Sequence, residues 1–261
     1  ANHVHVRNQV MEIPRVSLVG IIPARIGSTR FPGKPLAPLG NKAIIARVVE
    51  RALESGVCQH VLVATDDERI AHEAREAGAE AFLTDPQFAN GTLRSHDALK
   101  QWEALHNIEA DAVLNIQGDE PFVHPEQLQK LAQLIRLPGA SIATLARPKE
   151  ADHPERNNPN RVKVVCDLNG RALYFSRAAV PSSPGPWFEH VGLYAFTRGA
   201  LEALSFLHPS PLEKRERLEQ LRWLEHGWHI HVGNTSHATY AVDTPEDLAH
   251  LEALLKSGEL A

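Results

Sequence analysis

The run VSLVGII, Val16 to Ile22, is apolar and β-branched, too short for a helix, and ended by Pro23, so it reads as a strand buried on both faces. A strand hidden on both faces needs layers above and below it, which favours an α/β chain over a sandwich or a bundle. The remaining patterns agree. Apolar residues at helical spacing from Lys42 to Ser55 end at Gly56. The strand HVLVATDD, a helix from Glu68 to Ala77, the strand AEAFLT, a helix from about Arg94 to Ile108 and the strand DAVLNIQGDE follow. Strand and helix in alternation predict a mostly parallel sheet, whose ligands bind beyond the carboxyl ends of the strands.

After ASIATLARP, residues 140–148, the chain becomes polar and rich in Asn and Pro, and an excursion from the sheet is expected over about 149–235. Within it VKVVCD and RALYFSRA, joined by LNG, read as a hairpin, and EHVGLYAF as a strand leading into a helix from Arg198 to Leu207. Pro211 to His226 reads as one charged helix, HIHVGN as a strand, and Thr244 to Lys256 as the closing helix. A single domain over 16–261 fits the length, with residues 1–15 as an N-terminal extension outside it.

Three charged loops would share one sheet edge. PARIGSTRFPGKP places Arg25, Arg30 and Lys34 around Gly27 and Gly33, a composition suited to gripping phosphate, although it is neither a Walker A loop nor GxGxxG. NIQGDEP sets Asp119 and Glu120 just beyond a buried strand, where an aspartate can hold magnesium. In YAVDTPEDL, Asp243 precedes a helix, and taken alone it reads as that helix's N-cap. Two carboxylates facing three cations suit nucleotidyl transfer. The net charge of −5 gives no reason to expect nucleic-acid binding. Two cysteines are too few for a disulfide framework and suit a reducing, cytoplasmic setting. No stretch approaches the roughly 18 apolar residues of a membrane span. Of the 15 histidines, His229 and His231 share a strand face, but two ligands without a third make a poor metal site.

With these residues in view, the chain resembles the 3-deoxy-manno-octulosonate (Kdo) cytidylyltransferases from about residue 18 to 255. The marks are IIPARIGSTRFPGKPL, VATDD, NIQGDEP, NPNRVKVV, ALYFSRA, HVGLYAF, LEQLRWLEHG and VDTPEDL, in the family's order. The resemblance implies a Rossmann-like nucleotidyltransferase fold with a small inserted sugar-binding and dimerisation subdomain, usually a homodimer. It implies magnesium-dependent transfer of CMP from CTP to an acidic eight-carbon sugar for lipopolysaccharide or capsule. By motif, Ala24, Arg25, Arg30 and Lys34, with Gly91, Thr92 and Arg94, should contact the nucleotide. Arg25, Lys34, Asp119 and Asp243 should be catalytic, the two aspartates as metal ligands. Gln117, Arg177, His190, Glu219 and Gln220 should line the sugar site, Arg177 offering a planar fork to a carboxylate.

One loop departs from the family pattern. In NGTLRSHDAL, Asn90 stands where the family has serine and Leu93 where it has an acid, with Asp97 a helical turn beyond Arg94 as a compensating carboxylate. The connector between SRAAVP and EHVGLY is also short. These departures leave open 8-amino-Kdo or a nonulosonic acid as the sugar, or a binding protein that no longer turns over.

Overall fold

The computed structural model describes residues 14–261. Of the expected extension, residues 1–13 lie outside the described residues, and Arg15 already opens the first strand. In chain order the elements begin with β1 (Arg15–Ala24), β2 (Pro38–Leu39), β3 (Lys42–Ala43), α1 (Ile44–Glu54), β4 (His60–Thr65), α2 (Glu68–Glu76), β5 (Glu80–Leu83), α3 (Gly91–His106) and β6 (Glu109–Asn115). They continue with α4 (Pro125–Leu134), β7 (Ile142–Lys149), β8 (Lys163–Cys166), β9 (Ala172–Ser176), β10 (Trp187–Thr197), α5 (Arg198–Ser205), α6 (Pro211–Glu216), α7 (Gln220–Glu225), β11 (Ile230–Asn234) and α8 (Pro245–Ser257).

The main sheet runs β11-β7-β10-β6-β1-β4-β5. Only β10 runs against its neighbours β6 and β7; the other pairings along this path are parallel. The expected mostly parallel α/β sheet is therefore present. Period-two alternation in β1 sorts its side chains: Leu18 and Ile22 enter one core with Val48, Val49, Val63, Leu114 and Leu131, and Val19 and Ile21 enter another with Leu62, Leu99, Trp102, Val113 and Phe196. Both faces are thus covered by helices, which explains why the strand has no polar face. The predicted hairpin is β8 and β9, and it joins the sheet where β8 pairs with β10.

Two predicted boundaries change for local reasons. The helix expected from Lys42 starts at Ile44, because Lys42 and Ala43 pair with Pro38 and Leu39 in a small antiparallel ribbon. The single helix expected over 211–226 is two helices. Arg217 adopts φ 57° and ψ 47°, so the chain turns left-handed after α6 and restarts at Gln220. The break puts Leu218, Leu221 and Trp223 in the interior, while the Glu216 carboxylate accepts bonds from Tyr174, Ser176 and the backbone N–H of Arg177.

Gly118 marks where β1 and β6 end together. A Cβ there would lie 2.7 Å from the carbonyl oxygen of Pro23, which is backbone and cannot swing away. Gly118→Ala is expected to cost about 1–3 kcal/mol and to lower the melting temperature by several degrees. Gly27→Ala, where a Cβ meets nothing within 4 Å, should stay within about 0.5 kcal/mol of the parent.

Candidate active site

The loop after β1 is shaped by its own backbone before any ligand is considered. Gly33, at φ 70°, donates its N–H to Ile26 O at 3.1 Å and leads into a 3-10 turn over Lys34–Leu36. That closure holds Lys34 beneath the loop, with only 14% of its side chain exposed. Its ammonium lies 3.0 Å from Asp119 Oδ2 and 3.6 Å from Asp243 Oδ1. Arg30 Nη2 reaches Asp243 Oδ1 at 3.2 Å.

Asp243 is not the N-cap that the sequence taken alone suggests. Thr244 caps α8, its side chain accepting from the backbone N–H of Asp247, and Asp247 completes the capping box. The Asp243 carboxylate is thereby released toward the cations. Its position is fixed from behind by Val242, whose N–H donates to Asp119 O at 2.9 Å and whose side chain is buried with Leu39, Ile44, Phe122 and Leu251.

A cleft of about 300 Å³ opens at this edge, and Ala24, Arg25, Arg30, Lys34, Gly91, Arg94, Gln117, Asp119 and Asp243 all line it. Gln117, expected with the sugar set, thus sits beside the nucleotide set. Arg25 is exposed and has no ion-pair partner among the described residues. Arg94 is 2% exposed. One of its nitrogens bonds Thr84 Oγ1, whereas the other, Nη2, has no hydrogen-bond partner among the described residues. A buried guanidinium nitrogen left open at a cleft wall suits an anionic ligand. Burial lowers its pKa, yet an arginine so far above neutrality stays charged.

Asn90 takes over the capping duty at the start of α3, its Oδ1 accepting from Leu93 N–H at 2.9 Å. Its replacement of serine is therefore locally neutral. Asp97 does not fill the place of the missing acid, because its carboxylate accepts from Gln101 at 2.9 Å. Glu219 comes closer: its Oε2 is 3.2 Å from Thr92 Oγ1. Burial pushes the Glu219 carboxyl up to about 7, partly opposed by the Thr92 hydrogen bond.

The other expected sugar residues are more dispersed. Arg177 and Arg30 line a neighbouring cavity of about 780 Å³, which also meets Asp243. The Arg177 guanidinium donates to the carbonyls of Glu216 at 2.8 Å, Pro159 at 3.1 Å and Arg217 at 3.3 Å, so all three of its nitrogens brace the end of α6 against the segment before β8. His190 lies beyond the end of β6, half-buried, and loss of solvent around its ring pushes its pKa down to about 3. Thr144 donates to Leu193 O at 2.7 Å, so it accepts Nε2–H of His190 at 3.0 Å and leaves Nδ1 as the ring's acceptor. Gln220 is buried at the first turn of α7.

Asp66, in VATDD, is a site residue that the sequence patterns leave without a task. Its Oδ1 accepts the N–H of Ile26 at 2.9 Å, and its Oδ2 lies 4.0 Å from Arg94 Nη2. The same buried carboxylate thus sets the phosphate-type loop and faces the open guanidinium. The available signal was an acid directly after a buried strand that is not needed as a cap, since Asp67 caps α2.

Asp66→Ala is expected to weaken binding of a nucleoside triphosphate by about tenfold or more, corresponding to about 1–3 kcal/mol. Asp66→Asn, which keeps an acceptor for Ile26, should lose less; calorimetric titration reads both. Glu219 gives a second prediction. A carboxyl raised from 4.5 to about 7 leaves the folded state unpenalised below the unfolded pKa, and the penalty builds as pH rises from there to about 7 and is complete above it. Glu219→Gln should therefore raise stability at pH 8, by up to about 3 kcal/mol, and change little at pH 4. Denaturant titrations at the two pH values check this.

Comparison with known proteins gives the family. Residues 19–230 match the family model for cytidylyltransferases. The 3-deoxy-manno-octulosonate cytidylyltransferase of Anaeromyxobacter dehalogenans strain 2CP-1 is 47% identical over 243 residues, covering 91% of this chain and 97% of its own. That of Porphyromonas gingivalis is 42% identical over 252 residues, covering 92% and 97%. A solved structure of CMP:2-keto-3-deoxy-manno-octonic acid synthetase complexed with CTP superposes with a TM-score of 0.84 at 38% identity, covering 93% of this chain and all of that one. With its phosphate-type loop, its paired aspartates and this extent of identity, the chain belongs to the 3-deoxy-manno-octulosonate cytidylyltransferase family.

Proposed function

We propose that this chain transfers CMP from CTP to the anomeric hydroxyl of Kdo, releasing pyrophosphate and forming CMP-Kdo for lipopolysaccharide or capsule assembly. The observation that carries the proposal is the convergence of Arg25, Arg30, Lys34 and Arg94 with Asp119 and Asp243 on one cleft at the carboxyl edge of the sheet. Nothing in the geometry favours a different sugar over Kdo.

The chemistry needs positive charge in two places. Attack on the α-phosphate builds negative charge around phosphorus and then on the departing pyrophosphate. Arg25 and Arg30, on the exposed rim, are placed to meet the outer phosphates, and Arg94 and Lys34, deeper in the wall, to meet charge where water is scarce. Magnesium is the proposed cofactor, and the donor set suits it. Asp119 and Asp243 offer hard carboxylate oxygens that already converge on the Lys34 ammonium, so a cation belongs between them. When bound, such an ion neutralises phosphate charge and lowers the pKa of a hydroxyl that it contacts.

The proposed sugar contacts are Gln117, Arg177, His190, Glu219 and Gln220. Glu219, near 7, can accept or donate a hydrogen bond to a sugar hydroxyl. His190 would be a neutral reader rather than a cation, as its pKa stays far below neutrality. Among the described residues no helix is long and apolar enough to cross a membrane, and the reading includes a cytoplasmic location. It also includes a homodimer, for which Leu168 and Leu173, exposed apolar residues in and beside the β8–β9 hairpin, offer surface to cover.

With CTP, magnesium and Kdo, pyrophosphate release is expected from the parent chain, and Asp119→Ala should lower it by about 100-fold or more. Sialic acid in place of Kdo should give little release. Normal turnover by Asp119→Ala would remove that residue from the reaction, and CTP binding without release from any acidic sugar would overturn the transferase reading.

A further inference from the structure

A second group of ligating side chains lies away from the nucleotide cleft. His124 is the N-cap of α4 and Glu126 lies in its first turn, while His237 arrives on the loop after β11. One ligating atom from each of the three lies within 4.8 Å of the other two. His237 Nε2 is 2.7 Å from Glu126 Oε2, and the two imidazoles stack with centroids 3.5 Å apart. All three are at least partly open to solvent, beside a cleft of about 330 Å³ that Arg51, Tyr240 and Glu259 also line.

We propose that His124, Glu126 and His237 form a binding site for a zinc-class divalent ion, separate from the paired aspartates. Two imidazoles and a carboxylate are a donor set for zinc rather than magnesium, which prefers oxygen alone. Three protein ligands leave a fourth position for water or for a ligand from the cleft. The sequence offered no such set, because its histidine pair on the strand lacked a third ligand. Here the third ligand comes from folding, which brings the 237 loop against the start of α4.

Binding has a defined local consequence. The rings lie 7° from parallel, so their lone pairs do not yet meet at one point, and an ion must draw them out of the stack. His124 Nδ1 now accepts the backbone N–H of Glu126 at 3.2 Å. An ion at Nε2 moves the ring proton to Nδ1 and ends that cap, and an ion at Nδ1 replaces it. The other half of the capping box, His124 N–H donating to Gln127 Oε1 at 3.0 Å, is unaffected. The ion would tie the loop to α4 only a few residues before Tyr240 and Val242, whose N–H groups bond Glu120 Oε2 and Asp119 O. It would thus steady the segment that presents Asp243.

The test is zinc binding to chelator-stripped full-length protein, without nucleotide, by equilibrium dialysis and calorimetry. The expected result is one zinc ion per chain, bound about tenfold or more weaker in both His237→Ala and His124→Asn, and retained in Asp119→Ala. Asparagine is itself a preferred N-cap, so His124→Asn removes an imidazole while keeping α4 capped, and metal-free melting temperatures confirm that the variants fold. The proposal is overturned by absence of binding to the parent, by either histidine variant binding as the parent does, or by loss of binding in Asp119→Ala.

Discussion

Two carboxylates brought to one point repel unless a cation stands between them, and here the cation is the Lys34 ammonium, 3.0 Å from Asp119 and 3.6 Å from Asp243. The three groups come from the loops after β1, after β6 and before α8, so this contact joins distant parts of the chain. Lys34 is largely shielded, and the aspartates are less so. The attraction is therefore stronger than that of an exposed pair, while each carboxylate keeps a face open to a ligand.

Apolar packing sets the distances that this arrangement needs. Val242, Phe122, Leu39, Ile44 and Leu251 form a small separate core behind the aspartates, linking α8 and the loop before it to α1 and the β2–β3 ribbon. The Val242 N–H bond to Asp119 O then locks the two acidic loops together. On the opposite side, Gly118 lets the β6 loop approach Pro23 O closely enough for both strands to end at the same edge. Rigid strand ends and a dry wedge thus position polar groups that their own loops would hold only loosely.

The parts of this fold legible in the sequence are those governed by short-range periodicity. β1, β4 and β6 declare themselves as apolar runs followed by Pro, Asp or Gly, and their parallel arrangement places the charged loops on one edge. What periodicity misses depends on contacts across the chain. Arg217 breaks a continuous helical pattern because the left-handed turn lets Leu218 and Trp223 pack inward and Glu216 meet β9, and no residue near it signals a break as a glycine would. Asp243 resembles a cap until Thr244 is seen to cap α8. Asp66 is an unremarked acid until Ile26 and Arg94 are found on either side of it. The loop of Arg25, Arg30 and Lys34 reads as a phosphate grip from its own residues, whereas Gly91, Thr92 and Arg94, like the expected sugar contacts Gln117, Arg177, His190, Glu219 and Gln220, rest on family resemblance, because they are spread over separate elements.

With leucine rather than an acid at position 93, the first turn of α3 changes in charge rather than in framework. Asn90 still caps α3, and Arg94 still faces Asp66, so the loop keeps its shape without the acid. Asp97 is turned to Gln101, leaving Glu219 as the carboxyl nearest Thr92. Half-buried Leu93 carries no charge, whereas buried Glu219 gains its charge only near pH 7. The first turn of α3 therefore carries no carboxylate of its own, and the charge beside Thr92 depends on whether Glu219 is protonated or ionised. The Thr92–Glu219 hydrogen bond ties the start of α3 to the N-terminal end of α7, and so to the helix pair that borders the proposed sugar site.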